Sequence, residues 1–142
     1  MEPELKAAKI RLATQWDERV PEFLLDHLRI HQVFLNIIKN AIHAMPKGGS
    51  LRIGTELKGK LCLIHFHDTG VGISDQDLPK IFDAYYTTRE GGSGLGLMIV
   101  YQIVREHGGR IEVSSKLGKG TRFTVILPIR KEKLRLPEPV EK

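Results

Sequence analysis

At 142 residues and 41% hydrophobic content, the chain is sized for one compact domain with a real apolar core. A net charge of +5, basic residues spread along the sequence and 6% aromatics with no basic–aromatic interleaving argue against a nucleic-acid-binding module. The single cysteine, Cys62, excludes an internal disulfide and fits a reducing cytosol; no apolar run is long enough to span a bilayer, and Met1-Glu2-Pro3-Glu4 is no signal peptide.

In chain order, Lys9 to Thr14 alternates like a half-buried strand, with a turn at Asp17-Glu18-Arg19. Asp26 is placed to cap a long helix from His27 to Met45, which Pro46-Lys47-Gly48-Gly49 ends. That helix is apolar nearly all round and so expected to be buried, except for one stripe: Gln32, Asn36, Asn40 and His43 share a face, with Lys39 beside it. Buried amides need partners. The stripe is therefore either the wall of a polar ligand pocket or a set of side chains bonded to neighbouring backbone in an ordinary core helix.

Two strands, Ser50 to Leu57 and Lys60 to His67, follow as a hairpin around Lys58-Gly59. Period two puts Cys62, Ile64, Phe66 and Asp68 on the helix-covered face, with Cys62 a small core residue rather than a nucleophile. His65 and His67 then point away; a metal pair there would lack a third ligand. Asp68-Thr69-Gly70-Val71-Gly72 ends the strand with a carboxylate and two spaced glycines, a pattern that ordinary turns share. A short helix capped by Ser74 or Asp75 is expected within Ser74 to Tyr85.

Phe82 to Arg89 combines aromatic anchors, hydroxyls and a cation, and reads as a lid hinged by Gly91, Gly92 and Gly94. The glycines from Gly91 to Gly96 open a helix running to about His107. Exposed backbone N–H groups at such a start bind phosphate, although a flexible hinge reads the same way. No Gly-Lys-Ser/Thr follows, so this is not a Walker loop. Gly108-Gly109 stops the helix, and Arg110 to Ser115 and Thr121 to Leu127 form a last hairpin. Residues 1–130 make the domain; residues 131–142 read as a charged, flexible tail.

An asparagine helix, Asp-x-Gly-x-Gly, an aromatic lid and Gly-x-Gly-x-Gly, in that order between Lys9 and Pro128, resemble the catalytic ATP-binding domain of bacterial sensor histidine kinases. These are Bergerat-fold ATPases, related to type II topoisomerases, Hsp90 and the mismatch-repair protein MutL. The wording Asn40-Ala41-Ile42-His43-Ala44-Met45 and Tyr86-Thr87-Thr88-Arg89 looks most like the short-lidded nitrogen-regulation group. The resemblance implies an α+β fold, a two-layer α/β sandwich whose mixed, mostly antiparallel sheet carries helices on one face.

It also implies ATP and Mg²⁺ as ligands. Asn40 would hold the metal, supported by Asn36, with His43 one turn on beside the phosphates. Asp68 would accept from the adenine amino group, helped by Thr121 through a water, and Gly70 and Gly72 would let the backbone close over the base. Gly92, Ser93, Gly94, Leu95, Gly96 and Leu97 would wrap the triphosphate; Tyr86, Thr87, Thr88 and Arg89 form the lid, Arg89 reaching the outer phosphates. Asn36 stands where ATP-hydrolysing relatives carry a glutamate base, which favours transfer to histidine, already a nucleophile when neutral. No histidine here has the acceptor pattern, a following acid and then proline on a helix. The expected partners are therefore ATP and ADP, a separate phosphoacceptor helical hairpin of a parent kinase and, indirectly, a response regulator. No nucleic acid is expected, nor a membrane segment within this chain. The chain is expected as a monomer in the cytoplasm, including as the cytoplasmic part of a membrane-bound sensor. The rival reading is a nucleotide-gated binding module without phosphotransfer.

Overall fold

The computed structural model describes residues 2–86 and 94–130. The expected tail over 131–142, and the lid and glycine positions Thr87, Thr88, Arg89, Gly91, Gly92 and Ser93, lie outside the described residues. The elements are α1 (Glu2–Ala7), β1 (Ile10–Gln15), α2 (His27–Ala44), β2 (Gly49–Lys58), β3 (Leu61–Asp68), a single 3-10 turn (Leu78–Lys80), α3 (Gly96–Glu106), β4 (Arg110–Lys116) and β5 (Gly120–Pro128).

The strands form one sheet in the order β1-β2-β3-β5-β4. β1 and β2 pair in parallel because α2 carries the chain back between them; every other pair is antiparallel. The observed α+β sandwich, with a mixed and mostly antiparallel sheet, is the expected one. Its core joins Val33 and Ile37 of α2, Val100 and Val104 of α3, and Phe66 and Phe123 of the sheet. Phe34 meets Phe66 edge-on at 5.3 Å, and Phe82 meets Phe123 at 6.4 Å, anchoring the segment after the 3-10 turn to the sheet.

α2 starts as expected, with the Asp26 carboxylate accepting from the Arg29 N–H at 3.2 Å. It is not buried all round: Ile30, Val33, Ile37 and Ala41 are its buried residues, while Leu28 and Gln32 are exposed. Its partner helix is short. The Asp26 N–H donates to His107 Nε2, and Arg29 pairs with Glu106, so the start of α2 lies at the end of α3. Asn36 reaches Gly96 at the start of α3. An 11-residue α3 thus runs antiparallel beside only the first half of an 18-residue α2. α3 does not reach the last two turns of α2, and that gap shapes the site.

Two elements differ from expectation. α1 appears at the acidic start, where Leu5 is buried and the helix packs on β1. The short helix expected within Ser74 to Tyr85 is only one 3-10 turn. Pro79 within it offers no N–H, and Tyr85 sits at φ 66°, in the left-handed region, where a helix cannot continue. Ser74 still accepts from the Asp77 N–H at 3.2 Å, capping a turn rather than a helix.

On β3 the faces divide as the alternation predicts: Cys62, Ile64, Phe66 and Asp68 are buried. Burial pushes the Cys62 thiol up, in keeping with a core residue. On the other face His65 has both ring nitrogens engaged, Nδ1 with Thr124 at 2.9 Å and Nε2 with Glu56 at 3.0 Å. Among the described residues no group of three histidine, cysteine or acidic side chains could hold a metal ion.

Candidate nucleotide site

A cavity of about 420 Å³ opens where α2 outruns α3. Asn36, Lys39, Asn40 and His43 line it from α2, and Gly96 and Leu97 from the start of α3. Val71, Gly72 and Ile73 line it from the loop after β3, Thr121 from β5, and Asp77, Ile81, Tyr86 and Gly94 complete the wall. Of the polar stripe on α2, Gln32 is the member left out. It lies beside the part of α2 that α3 covers, while the cavity begins one turn later.

The two asparagines differ in kind. Asn36 Nδ2 donates to the Gly96 carbonyl at 3.2 Å, so its amide is spent joining α2 to α3. The Asn40 carboxamide lines the cavity and makes no hydrogen bond among the described residues. His43 Nδ1 lies 2.7 Å from the Lys39 carbonyl, so Nδ1 carries the proton and Nε2 is left for a ligand. An uncommitted amide oxygen is a hard ligand of the kind magnesium accepts when phosphates supply the remaining charge, so the donor set fits Mg²⁺ brought in with ATP.

Asp68 is only 2% exposed, and its strand partner across β5 is Thr121. Burial pushes its carboxyl above the usual range, against the opposing pull of the Gly70 and Thr121 N–H groups and of His67. Its Oδ1 accepts from the Gly70 N–H at 2.8 Å. Asp77 carries the opposite shift, lowered first by the Tyr86 hydroxyl and then by Ser74.

A family model described as histidine kinase-, DNA gyrase B-, and HSP90-like ATPase matches residues 25–131. The chain belongs to that ATPase family. Among its relatives are sporulation kinase E of Bacillus subtilis, 42% identical over 78% of this chain and 15% of its own length, and the sensor histidine kinase ZraS of Escherichia coli K12, 40% identical over 85% of this chain and 26% of its own. The ATPase-family chain thus spans about a seventh to a quarter of those kinases' length. Among solved structures it is similar to the catalytic domain of histidine kinase ThkA, with TM-score 0.82, 29% identity, and coverage of 94% of this chain and 88% of that one. It is also similar to full-length ShkA in complex with AMPPNP, with TM-score 0.84, 28% identity, and coverage of 93% and 28% respectively.

In this ATPase-family domain Gly70 and Gly72 work through packing. A Cβ on Gly70 would stand 2.5 Å from the Ala44 carbonyl oxygen, and one on Gly72 would stand 2.2 Å from that of Lys116. These two glycines seat the loop against the end of α2 and against the last hairpin; Gly72 lines the cavity, whereas Gly70 stands behind it. Gly94, at φ 72°, lies against the Tyr85 backbone, and the Tyr85 N–H donates to its carbonyl at 2.9 Å. That bond joins the end of the segment after the 3-10 turn to the approach to α3. Leu95 is the residue before α3 and does not line the cavity.

Gly72 and Gly118 make a controlled pair, at φ 77° and 78°, but nothing lies within 4 Å of a Cβ at Gly118. Gly118→Ala is expected to cost about 1–2 kcal/mol for the left-handed backbone alone. Gly72→Ala adds a backbone clash and is expected to cost roughly 2–4 kcal/mol. Urea unfolding of both variants checks this; equal midpoints would refute the packing role.

Several residues that shape the site were not singled out from sequence. Asp77, Ile81 and Ala44 line the cavity, and Gly120 lies so close to Asp68 that a Cβ there would stand 2.1 Å from the Asp68 carbonyl oxygen. Ser115 bonds to three groups around Thr121. Their sequence signals are those of an ordinary hairpin and turn, and only contacts distant in sequence give them meaning.

Proposed function

We propose that this chain binds Mg·ATP and passes the γ-phosphoryl group to a histidine on a separate helical hairpin domain, as the catalytic part of a two-component sensor kinase. The observation that carries the reading is Asn36. It stands one turn before the uncommitted Asn40, its amide nitrogen is spent on Gly96, and an amide cannot take a proton at neutral pH. A hydroxyl or water nucleophile would need such a base; a neutral imidazole does not.

In the transfer, an imidazole nitrogen of the acceptor forms a bond to the γ-phosphorus while the bond to the bridging oxygen breaks, and ADP leaves with the electron pair. Asn40 would present its amide oxygen to Mg²⁺, which when bound neutralises phosphate charge. Gly96 and Leu97, at the positive end of α3, would face the phosphates, and Lys39 would add charge from α2. Asp68 and Thr121 would meet the adenine edge. Thr88 and Arg89 would approach the outer phosphates from the lid. The ShkA complex with AMPPNP supports nucleotide binding here, and the structure of ThkA with the response regulator TrrA supports a place in two-component signalling.

The test incubates the chain with γ-labelled ATP, alone and with a cognate helical hairpin. Acid-labile label is expected on the hairpin only, with little ATP hydrolysis by the chain alone. Label on the chain alone would refute the reading. Tight ATP binding with no transfer to the hairpin would leave the binding module in its place.

A further inference from the structure

Ser115 lies on β4, on the helix-covered face of the sheet, and does not line the nucleotide cavity. Its hydroxyl nevertheless holds three groups around it. The Ile73 N–H donates to it at 2.7 Å, the Gly120 carbonyl is 2.9 Å away, and the Thr121 hydroxyl is 2.7 Å away.

Counting protons settles the direction of each bond. A serine hydroxyl has one proton and two lone pairs. The Gly120 carbonyl can only accept, so the Ser115 proton goes there. The Ile73 N–H occupies one lone pair, which leaves the other for the Thr121 hydroxyl proton. Thr121 therefore spends its only proton on Ser115, and what it offers the cavity is lone pairs.

Three of the backbone donors nearby are spent as well. The Gly70 N–H goes to Asp68, the Val71 N–H to the Ala44 carbonyl at 2.9 Å, and the Ile73 N–H to Ser115. We propose that Ser115 is a positioning residue for base selection: it locks Thr121 as an acceptor, so that the side chains of Asp68 and Thr121 both face a base as acceptors. This rests on the reading that those two residues meet the adenine edge. A purine bearing an amino group at position 6 supplies a donor there. In a purine bearing a carbonyl there, the N1–H can still pair with one of the two acceptor side chains, but the carbonyl oxygen finds no donor on either, and an unpaired buried carbonyl loses affinity.

Removing the Ser115 hydroxyl frees Thr121 to rotate and donate, which gives a 6-carbonyl a partner. The experiment is calorimetric titration of the full chain with ATP and with inosine triphosphate, which carries the carbonyl. Wild type should favour ATP. Ser115→Ala should reduce the ATP-to-ITP preference about tenfold, the size of one hydrogen bond. Ser115→Thr, which keeps the hydroxyl, should retain the wild-type preference. Adding Thr121→Val to Ser115→Ala should restore it, because no hydroxyl is then left to donate.

A purely structural role would weaken both nucleotides by the same factor and leave the ratio unchanged; that result would overturn the proposal. So would loss of preference in Ser115→Thr. Should Ser115→Ala fail to fold, Ser115→Cys, whose thiol is a weak partner, serves the same comparison. Failure of the underlying reading looks different: wild type itself would not distinguish ATP from ITP.

Discussion

Asp68→Asn is expected to weaken ATP binding by roughly 10- to 100-fold, the worth of a hydrogen bond to a charged group, while making the unliganded chain more stable at neutral pH. Both effects arise from one buried carboxylate, 2% exposed, whose burial pushes its pKa above the ordinary aspartate value of 3.8. Because the folded pKa is the higher one, the group favours the fold below 3.8, and that contribution is lost as pH rises through the folded value. Above that folded value the ionised carboxylate is thus a burden that the fold carries for its ligand. Asparagine keeps an oxygen for the Gly70 N–H and removes the charge. Thermal melts at about pH 4 and pH 7 should show the variant's advantage growing with pH. A lower melting temperature at pH 7, or unchanged ATP affinity, would contradict the assignment.

Asn40→Ala should reduce phosphotransfer to the helical hairpin by about 100-fold or more, since losing a metal ligand at the phosphates forfeits several kcal/mol of charge stabilisation. It should scarcely change stability. The Asn40 carboxamide has no hydrogen bond among the described residues, and alanine is the better helix former. Asn36→Ala is the contrasting case: it removes the bond to the Gly96 carbonyl and should cost about 1 kcal/mol of stability. Urea unfolding and transfer assays on both variants separate a ligand-binding amide from a helix-joining one. A strongly destabilised Asn40→Ala would show that its amide is structural after all.

Local pattern alone determined a good deal of this protein. The alternation of β3, the Asp26 cap of α2, both hairpins and the order of the asparagine, aspartate and glycine boxes are legible because each depends on residues a few positions apart. The segment from Ser74 to Tyr85 misled because its helix-like spacing had to yield to Pro79 and to a left-handed Tyr85 held against Gly94. Two asparagines on one helical stripe look alike by spacing; the family resemblance gave them different roles, and tertiary structure supplies the physical reason, because α3 begins opposite Asn36 and leaves Asn40 lining the cavity. The same holds for Gly70 and Gly72, whose missing side chains make room for Ala44 and Lys116, and for Ser115, an unremarkable strand residue until Ile73, Gly120 and Thr121 converge on its one hydroxyl. Sequence spacing specifies which way a side chain faces along its own element; which groups it meets, and which of its protons and lone pairs remain for a ligand, depends on residues that only folding brings within hydrogen-bond distance.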